Sequence, residues 1–131
     1  MKALMSIKFH EDASNLSLIK SITDIANKCE VKLKTIFVDY EKEGTKKFSS
    51  HELMEMTFSV IEENDILIVE FSEKGVGLGI EAGYAFSKNK PVYVIAKKGS
   101  DISETLKGIS KEIFFYETIS DLEEFFKKII I

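Results

Sequence analysis

The sequence has few of the residues from which disulfides and metal sites are built. It contains one cysteine, Cys29, and two histidines, His10 and His51. A lone cysteine cannot form an intramolecular disulfide, and Cys29 falls on an apolar helical stripe typical of a core residue. The two histidines have no ligand-like spacing with each other or with Cys29. We therefore predict no metal and no other cofactor.

The sequence also lacks an excess of positive charge and a long apolar run. Its formal charge is −4 and its pI is about 5.3, whereas a sequence-independent nucleic-acid surface needs a basic face. No apolar stretch reaches the length of a membrane span, and no signal peptide is recognisable. We therefore expect a cytoplasmic protein that binds neither nucleic acid nor membranes.

Short apolar runs alternate with amphipathic segments along the chain. Five of these runs predict strands, at Lys2–Lys8, Val31–Val38, Ile66–Val69, Val92–Ala96 and Glu112–Tyr116. Strands that alternate with helices indicate one α/β domain, residues 1–131, in which a five-stranded parallel sheet lies between two helical layers. Right-handed crossovers favour the flavodoxin-like (Rossmann-like) strand order 2-1-3-4-5.

In such a fold, ligands bind at the carboxyl ends of strands one and three, where the strand order reverses. The segment after strand three, Phe71–Gly79, contains Gly75, Gly77 and Gly79 and precedes a helix predicted over Ala82–Lys88. Recurring glycines let backbone approach a ligand closely and adopt positive φ. We therefore predict the binding site at this glycine-rich loop.

Two chemistries are compatible with the loop. Gly77 to Ala82 satisfies a permissive dinucleotide-binding pattern, but that pattern belongs after a first strand, and Glu81 would repel a pyrophosphate. The second chemistry uses Glu81 as the reactive group, because a carboxylate in the first turn of a helix is favoured in its ionised form. Such a group suits a nucleophile. A purely structural reading, in which Glu81 only stabilises the helix start, is the alternative.

The segment Gly75–Ala85, followed by Lys90-Pro91-Val92, resembles the signature of the nucleoside 2-deoxyribosyltransferase family, which includes the deoxynucleoside monophosphate N-glycosidases. The resemblance is close from about Asn64 to Val94. It implies that Glu81 is a nucleophile that attacks the sugar of a nucleoside or nucleoside 5′-monophosphate. The N-glycosidic bond is then hydrolysed or its sugar is transferred to another base.

Several residues around the loop are candidate substrate ligands. Ser6-Ile7-Lys8 resembles a Ser-Ile-Arg segment of the family's hydrolases, and Lys8 could supply a cation for a phosphate. Phe9 or Tyr40 could stack on a base, whereas Asp39 or His10 could hydrogen-bond its edge. The predicted substrate-binding residues are Ser6, Lys8, Phe9, His10, Asp39, Gly75, Gly77, Gly79 and Ser103.

The resemblance also implies an oligomer. Family members are homodimers or higher even oligomers in which a residue matching Ser103 reaches the neighbour's glycine loop. The sequence adds support, because Met54, Met56 and Phe58 give one helix more apolar surface than a single core-facing stripe requires. The alternative is that these residues pack inside their own subunit.

The sequence departs from the family at several positions. The family's catalytic aspartate aligns with Thr57, which cannot titrate, so that Glu55, Glu52 or His51 could replace it only on a rotated helix. Lys2 and Met5 stand where the family has an aromatic residue and a glycine-bearing loop, and Gly75 stands where it has an acid or a serine. These departures leave open a catalytically silent nucleotide-binding module of the same fold.

Overall fold

The computed structural model describes residues 1–130 and contains one parallel sheet. Its strands are β1 (Lys2–Ile7), β2 (Lys32–Lys34), β3 (Ile66–Glu70), β4 (Val92–Lys97) and β5 (Glu112–Tyr116). All neighbouring strands pair in parallel, in the order β2-β1-β3-β4-β5. The predicted sheet and strand order are confirmed, and the order reverses between β1 and β3.

Helices cover both faces of the sheet. They are α1 (Leu16–Lys28), α2 (Ser50–Glu63), α3 (Val76–Ser87), α4 (Glu104–Ile109) and α5 (Leu122–Ile129). Alternate strand residues face opposite sides: Ile66 and Ile68 pack with α1 and α5, whereas Leu67 and Val69 pack with α2, α3 and α4. Among residues 1–130, none of the helices combines the length and apolarity needed to cross a membrane.

The predicted second strand, Val31–Val38, is wrong beyond Lys34. The backbone N–H of Thr35 donates to the Asp39 carboxylate at 2.9 Å, and the Thr35 hydroxyl accepts from the Val38 N–H at 3.3 Å. These local bonds replace sheet pairing, and the chain turns into a short π-helix, Ile36–Tyr40. The sheet therefore ends early on this edge, which leaves room for a cavity above it.

The predicted start of the third helix is also wrong. The helix begins at Val76 rather than Ala82, so the first turns of α3 contain Gly77 and Gly79. Gly75, the N-cap residue, is extended at φ −163°, and the glycines with positive φ are Gly44 and Gly99. Because Leu78, Ala82 and Ala85 are buried against the sheet, packing holds the helix despite its glycines.

Candidate active site

A cavity of about 450 Å³ opens at the carboxyl ends of β1 and β3. Five segments build its wall: the end of β1 with the loop after it, the start of α1, the π-helix with the residues beside it, α2, and the first turns of α3. This is the position where the strand order reverses, as expected for a ligand site in this fold. Four titratable side chains line the cavity, those of Lys8, His10, Glu41 and Glu81.

The Glu81 carboxylate is held inside this cavity by Ser6. The buried Ser6 hydroxyl, at the end of β1, donates to Glu81 Oε1 at 2.6 Å. Burial raises the pKa of Glu81, and the hydrogen bond from Ser6 opposes this rise with a smaller effect. The expectation of a carboxylate ionised by the first helical turn is therefore wrong. Glu81 lies in the second turn of α3, beyond the first turn in which the helix dipole acts.

Two glycines fit the space around these side chains. A Cβ added to Gly75 would lie 3.2 Å from Cδ of Lys8, so the lysine side chain would have to shift to accommodate an alanine at this position. Gly77 lies one turn before Glu81 on the same helical face, and an added Cβ would lie 3.6 Å from Glu81 Oε2. Glycine therefore serves the close approach of Lys8 at position 75, whereas the contact at Gly77 is an ordinary one, and neither glycine has a positive φ.

One side of the cavity is apolar. Phe37 of the π-helix and Leu53 and Met54 of α2 line it, and Phe9 stands at its mouth with 59% of its surface exposed. The rings of Phe9 and Phe37 are 6.0 Å apart at an angle of 59°. The two rings therefore pack against each other and give this side of the cavity an aromatic surface.

The position of the family's aspartate faces the cavity but carries no acid. Thr57 is buried, and its hydroxyl donates to the Leu53 carbonyl at 2.7 Å. The residues considered as replacements for this aspartate, Glu52, His51 and Glu55, do not line the cavity. Glu52 forms a capping box with Ser49. His51 and Glu55 pair on the exposed side of α2 at 2.8 Å.

His10 lines the cavity and joins two loops. One ring nitrogen, Nε2, lies 2.9 Å from Glu73 Oε1, in the loop after β3. The other nitrogen, Nδ1, lies 3.0 Å from the Ser14 hydroxyl, in the loop after β1. With both nitrogens engaged, His10 bridges the two sides of the cavity mouth.

Three of the predicted site residues lie outside the cavity. The Asp39 carboxylate is taken by the Thr35 N–H. Gly79 and Ser103 line an adjoining groove between α3 and α4, which shares Lys8, Gly75 and Val76 with the cavity. The Ser103 hydroxyl caps α4 by accepting from the Leu106 N–H at 3.4 Å. Tyr40, one of the suggested base-stacking residues, also lies outside, with Lys34 Nζ 5.9 Å from its ring centroid.

Sequence reasoning missed Glu41, which lines the cavity just after the π-helix. Burial raises the pKa of its carboxyl group. The only available signal was a charged residue in a polar segment, which is typical of any exposed loop. Its place in the site depends on the unexpected π-helix before it.

The apolar side chains of α2 that suggested an oligomer are partly buried in their own chain. Phe58 stacks on Tyr84 of α3 with ring centroids 4.0 Å apart. Met54 lines the cavity, and Met56 packs against the core beneath α2 and α3. The predicted oligomer stays a prediction.

Comparison with known proteins bears on the resemblance described above. The chain is 26% identical, over 132 aligned residues, to a Thermofilum pendens protein described as a candidate 2′-deoxynucleoside 5′-phosphate N-hydrolase 1. The alignment covers 98% of this chain and 92% of the relative. The resemblance to the nucleoside 2-deoxyribosyltransferase family is confirmed. No protein-family model matches the chain.

Solved structures with similar folds include an N-glycosidase and a deoxyribosyltransferase. The CMP N-glycosidase of Clostridium botulinum superposes with a TM-score of 0.66 at 13% identity, covering 99% of this chain and 98% of that one. The 2-deoxyribosyltransferase of Bacillus psychrosaccharolyticus superposes with a TM-score of 0.69 at 17% identity, covering 94% of this chain and 90% of that one. An archaeal flavodoxin also matches, with a TM-score of 0.52 at 12% identity, over 98% and 96% of the two chains. These likenesses establish the fold.

Proposed function

We propose that this chain is an enzyme that cleaves or transfers at the N-glycosidic bond of a nucleoside or nucleoside 5′-monophosphate. The observation that carries the proposal is the Glu81 carboxylate, fixed at 2.6 Å by Ser6 inside a cavity at the reversal of strand order. The relatives named above, an N-hydrolase, an N-glycosidase and a deoxyribosyltransferase, act on the same kind of bond.

The cavity suggests an orientation for the substrate. The base lies against the apolar wall of Phe37, Leu53 and Met54, because a flat heterocycle gains most from aromatic and aliphatic contact. The sugar then lies over Glu81, and a 5′-phosphate lies towards Lys8. Lys8 is not among the lysines that form ion pairs within residues 1–130, so its ammonium group is available for a phosphate.

The reaction proceeds by double displacement. A Glu81 carboxylate oxygen attacks the anomeric carbon, the bond from that carbon to the base nitrogen breaks, and the base leaves. Water or a second base then attacks the same carbon and releases Glu81. Two inversions give net retention. Glu81 must be ionised in the first step, so the raised pKa of this group places the acid limb of activity above the range of an ordinary carboxylate.

A panel of nucleosides and deoxynucleoside monophosphates, scored by chromatography for free base, tests the proposal. Base release by the wild type, with hydrolysis separated from transfer by adding a second base, supports it. Binding without release at any pH between 5 and 9 would instead favour a catalytically silent nucleotide-binding module, which the absence of an acid at Thr57 suggests.

We also propose that the active unit is a homodimer or a higher even oligomer. Ser103 lies beside its own subunit's cavity, on a groove that borders the exposed side of α3. Val76 and Ile80 on α3 are 82% and 49% exposed, which is unusual for apolar side chains next to a ligand cavity. A second copy packed on this face would cover both side chains and bring its Ser103 to the cavity edge shared by Lys8 and Gly75.

A further inference from the structure

The proposed reaction needs a proton donor that the family position does not supply. A departing base carries the electron pair of the broken bond, and for most bases protonation must accompany departure. Thr57 stands at the position of the family's acid, and its hydroxyl is already bonded to the Leu53 carbonyl at 2.7 Å. A threonine hydroxyl is far too weak an acid for this role. Another group in the cavity must therefore donate the proton.

The titratable groups that line the cavity leave one candidate. Glu81 is the nucleophile, and Lys8 lies against Gly75, at the phosphate end. His10 uses one ring nitrogen for Glu73 and the other for Ser14. Glu41 remains, on the same side of the cavity as Phe37, against which the base is proposed to lie.

The position of Glu41 is fixed by backbone bonds. Its N–H donates to the Ile36 carbonyl at 2.9 Å, which closes the π-helix. Its own carbonyl accepts from the N–H groups of Gly44 at 3.0 Å and Lys46 at 2.9 Å. The turn therefore holds the residue at the cavity, while its carboxyl group forms no hydrogen bond or ion pair with any residue in the 1–130 range that the structure describes.

Three lysines of the segments around Glu41, Lys34, Lys46 and Lys20, contact other groups. Lys34 Nζ lies over the Tyr40 ring, 5.9 Å from its centroid, and Lys46 Nζ lies over the Phe48 ring at 5.4 Å. Lys20 pairs with the neighbouring carboxylate, Glu43, at 3.6 Å. Among residues 1–130, no lysine forms an ion pair with Glu41.

We infer that Glu41 is the general acid that protonates the departing base and, as a carboxylate, the general base of the second step. The inference rests on the proposed function. In the first step Glu81 forms a bond to the anomeric carbon, the bond to the base breaks, and the Glu41 proton passes to the base. In the second step Glu41 takes a proton from water, whose oxygen attacks the anomeric carbon as the bond to Glu81 breaks. The products are the free base and the sugar, with both carboxyl groups restored.

The electrostatics agree with this assignment. Burial raises the pKa of Glu41, and no charged neighbour opposes the effect. A raised pKa favours the protonated form of the carboxyl group, which is the form that acid catalysis requires. The assignment also explains how the chain can dispense with an acid at Thr57: the function has moved from α2 to the turn after β2.

A pair of substrates separates acid catalysis from other roles. A purine 2′-deoxynucleoside 5′-monophosphate needs protonation as its base leaves, whereas the N7-methylated derivative carries a cationic base that leaves as a neutral molecule. We expect Glu41→Gln to lower the single-turnover rate of base release from the unmodified substrate by about 10²- to 10⁴-fold, the usual contribution of a general acid, and to retain most of the wild-type rate on the methylated one. Single-turnover rates are compared because the second step also uses Glu41 and would slow steady-state turnover of both substrates. Glu43→Gln, a change of the same kind two residues away, is the matched control and should act as wild type on both.

The outcomes distinguish this inference from the proposed function. Wild-type failure on both substrates would overturn the function and the inference together. Base release by the wild type and not by Glu81→Gln supports the proposed function. If Glu41→Gln is then unimpaired on both substrates, or impaired equally on both, the function stands and Glu41 is not the acid. Should Glu41→Gln not fold, Glu41→Ala is assayed with added formate. Formate should restore release from the unmodified substrate only, and the absence of such rescue would count against the assignment.

Discussion

The hydrogen bond from Ser6 to Glu81 leads to a prediction with a measurable pH signature. Ser6→Ala removes the buried hydroxyl that donates to Glu81 Oε1 at 2.6 Å. A hydrogen bond to a charged group is worth about 1.5–3 kcal/mol. Since about 1.4 kcal/mol corresponds to tenfold in rate, kcat/KM near neutral pH should fall by about 10- to 150-fold.

The loss should depend on pH, and its sign follows from the two effects on Glu81. Burial raises the pKa of Glu81 and the Ser6 bond lowers it, so removal of the bond raises the pKa further. The nucleophile must be ionised, so the acid limb of the rate profile should move to higher pH in the variant. The deficit should be largest at low pH and should shrink as the pH rises, leaving only the loss of orientation.

Steady-state rates of base release, measured from pH 5 to 9, test this reasoning. Ser110→Ala is a suitable control, because Ser110 also loses one side-chain hydrogen bond, to the Leu106 carbonyl at 2.6 Å, but lies outside the cavity. The control should keep the wild-type profile. An unshifted acid limb in Ser6→Ala, with an equal loss at every pH, would refute an electrostatic role for Ser6 and leave it a packing residue.

Three further predictions follow from the proposed function. Glu81→Gln should lower the rate of base release by several orders of magnitude, and near wild-type turnover would contradict the mechanism. Thermal unfolding of this variant near pH 7 should show a fold at least as stable as that of the wild type, because ionising a carboxyl group whose pKa is raised by burial opposes folding. Lys8→Met should weaken the binding of a 5′-monophosphate by about 1.5–3 kcal/mol, roughly 10- to 150-fold in Kd, and leave the Kd of the corresponding nucleoside unchanged, as measured by calorimetry. An equal loss of affinity for both ligands would show that Lys8 does not bind the phosphate. Ser103→Ala chains mixed with Glu81→Gln chains should form hybrids that regain activity, since one site then has both groups; sedimentation as monomers at micromolar concentration, or a mixture without rescue, would argue against a shared site.

The strand order and the location of the cavity could be predicted because they depend on long, regular patterns. Buried apolar runs at the strands and amphipathic spacing between them leave few topologies once crossovers are right-handed. The place of the cavity then follows from the strand order. Glu81 could also be identified, but through its resemblance to a family signature and not through the physics of helix starts.

The finer geometry could not be predicted, because local and tertiary effects compete there. The sequence Val31–Val38 is as apolar as a strand, yet Thr35 and Asp39 bond to nearby backbone and end it at Lys34. The glycines before Glu81 indicate a loop by propensity, yet packing of Leu78 and Ala82 extends the helix through them. Glu41 reaches the cavity as a result of the first of these departures. A reading of propensities alone would place it in solvent.

A buried carboxylate at the end of β3 was likewise hidden in the sequence. Glu70 accepts bonds from the N–H and hydroxyl of Ser72, at 2.8 and 2.7 Å, and from the hydroxyl of Tyr116 on β5. The Ser72 hydroxyl in turn accepts from the Lys97 N–H at 2.9 Å. The network ties the ends of three strands together beside the segment that leads into α3. It therefore supports the position of Glu81 without lining the cavity.

The central place of β1 has a consequence for how the chain folds. Lys2 pairs with Lys32 on one side, and Ala3 pairs with Ile66 on the other. During synthesis, β1 therefore cannot pair on both sides until residues 66–70 have followed it. Until then the apolar segment Ala3–Met5 has an open edge, of the kind that recruits chaperones or a second unfinished chain. Pairing across such sequence separations slows folding, so the strand that carries Ser6 acquires its final partners only after residues 66–70 have been made.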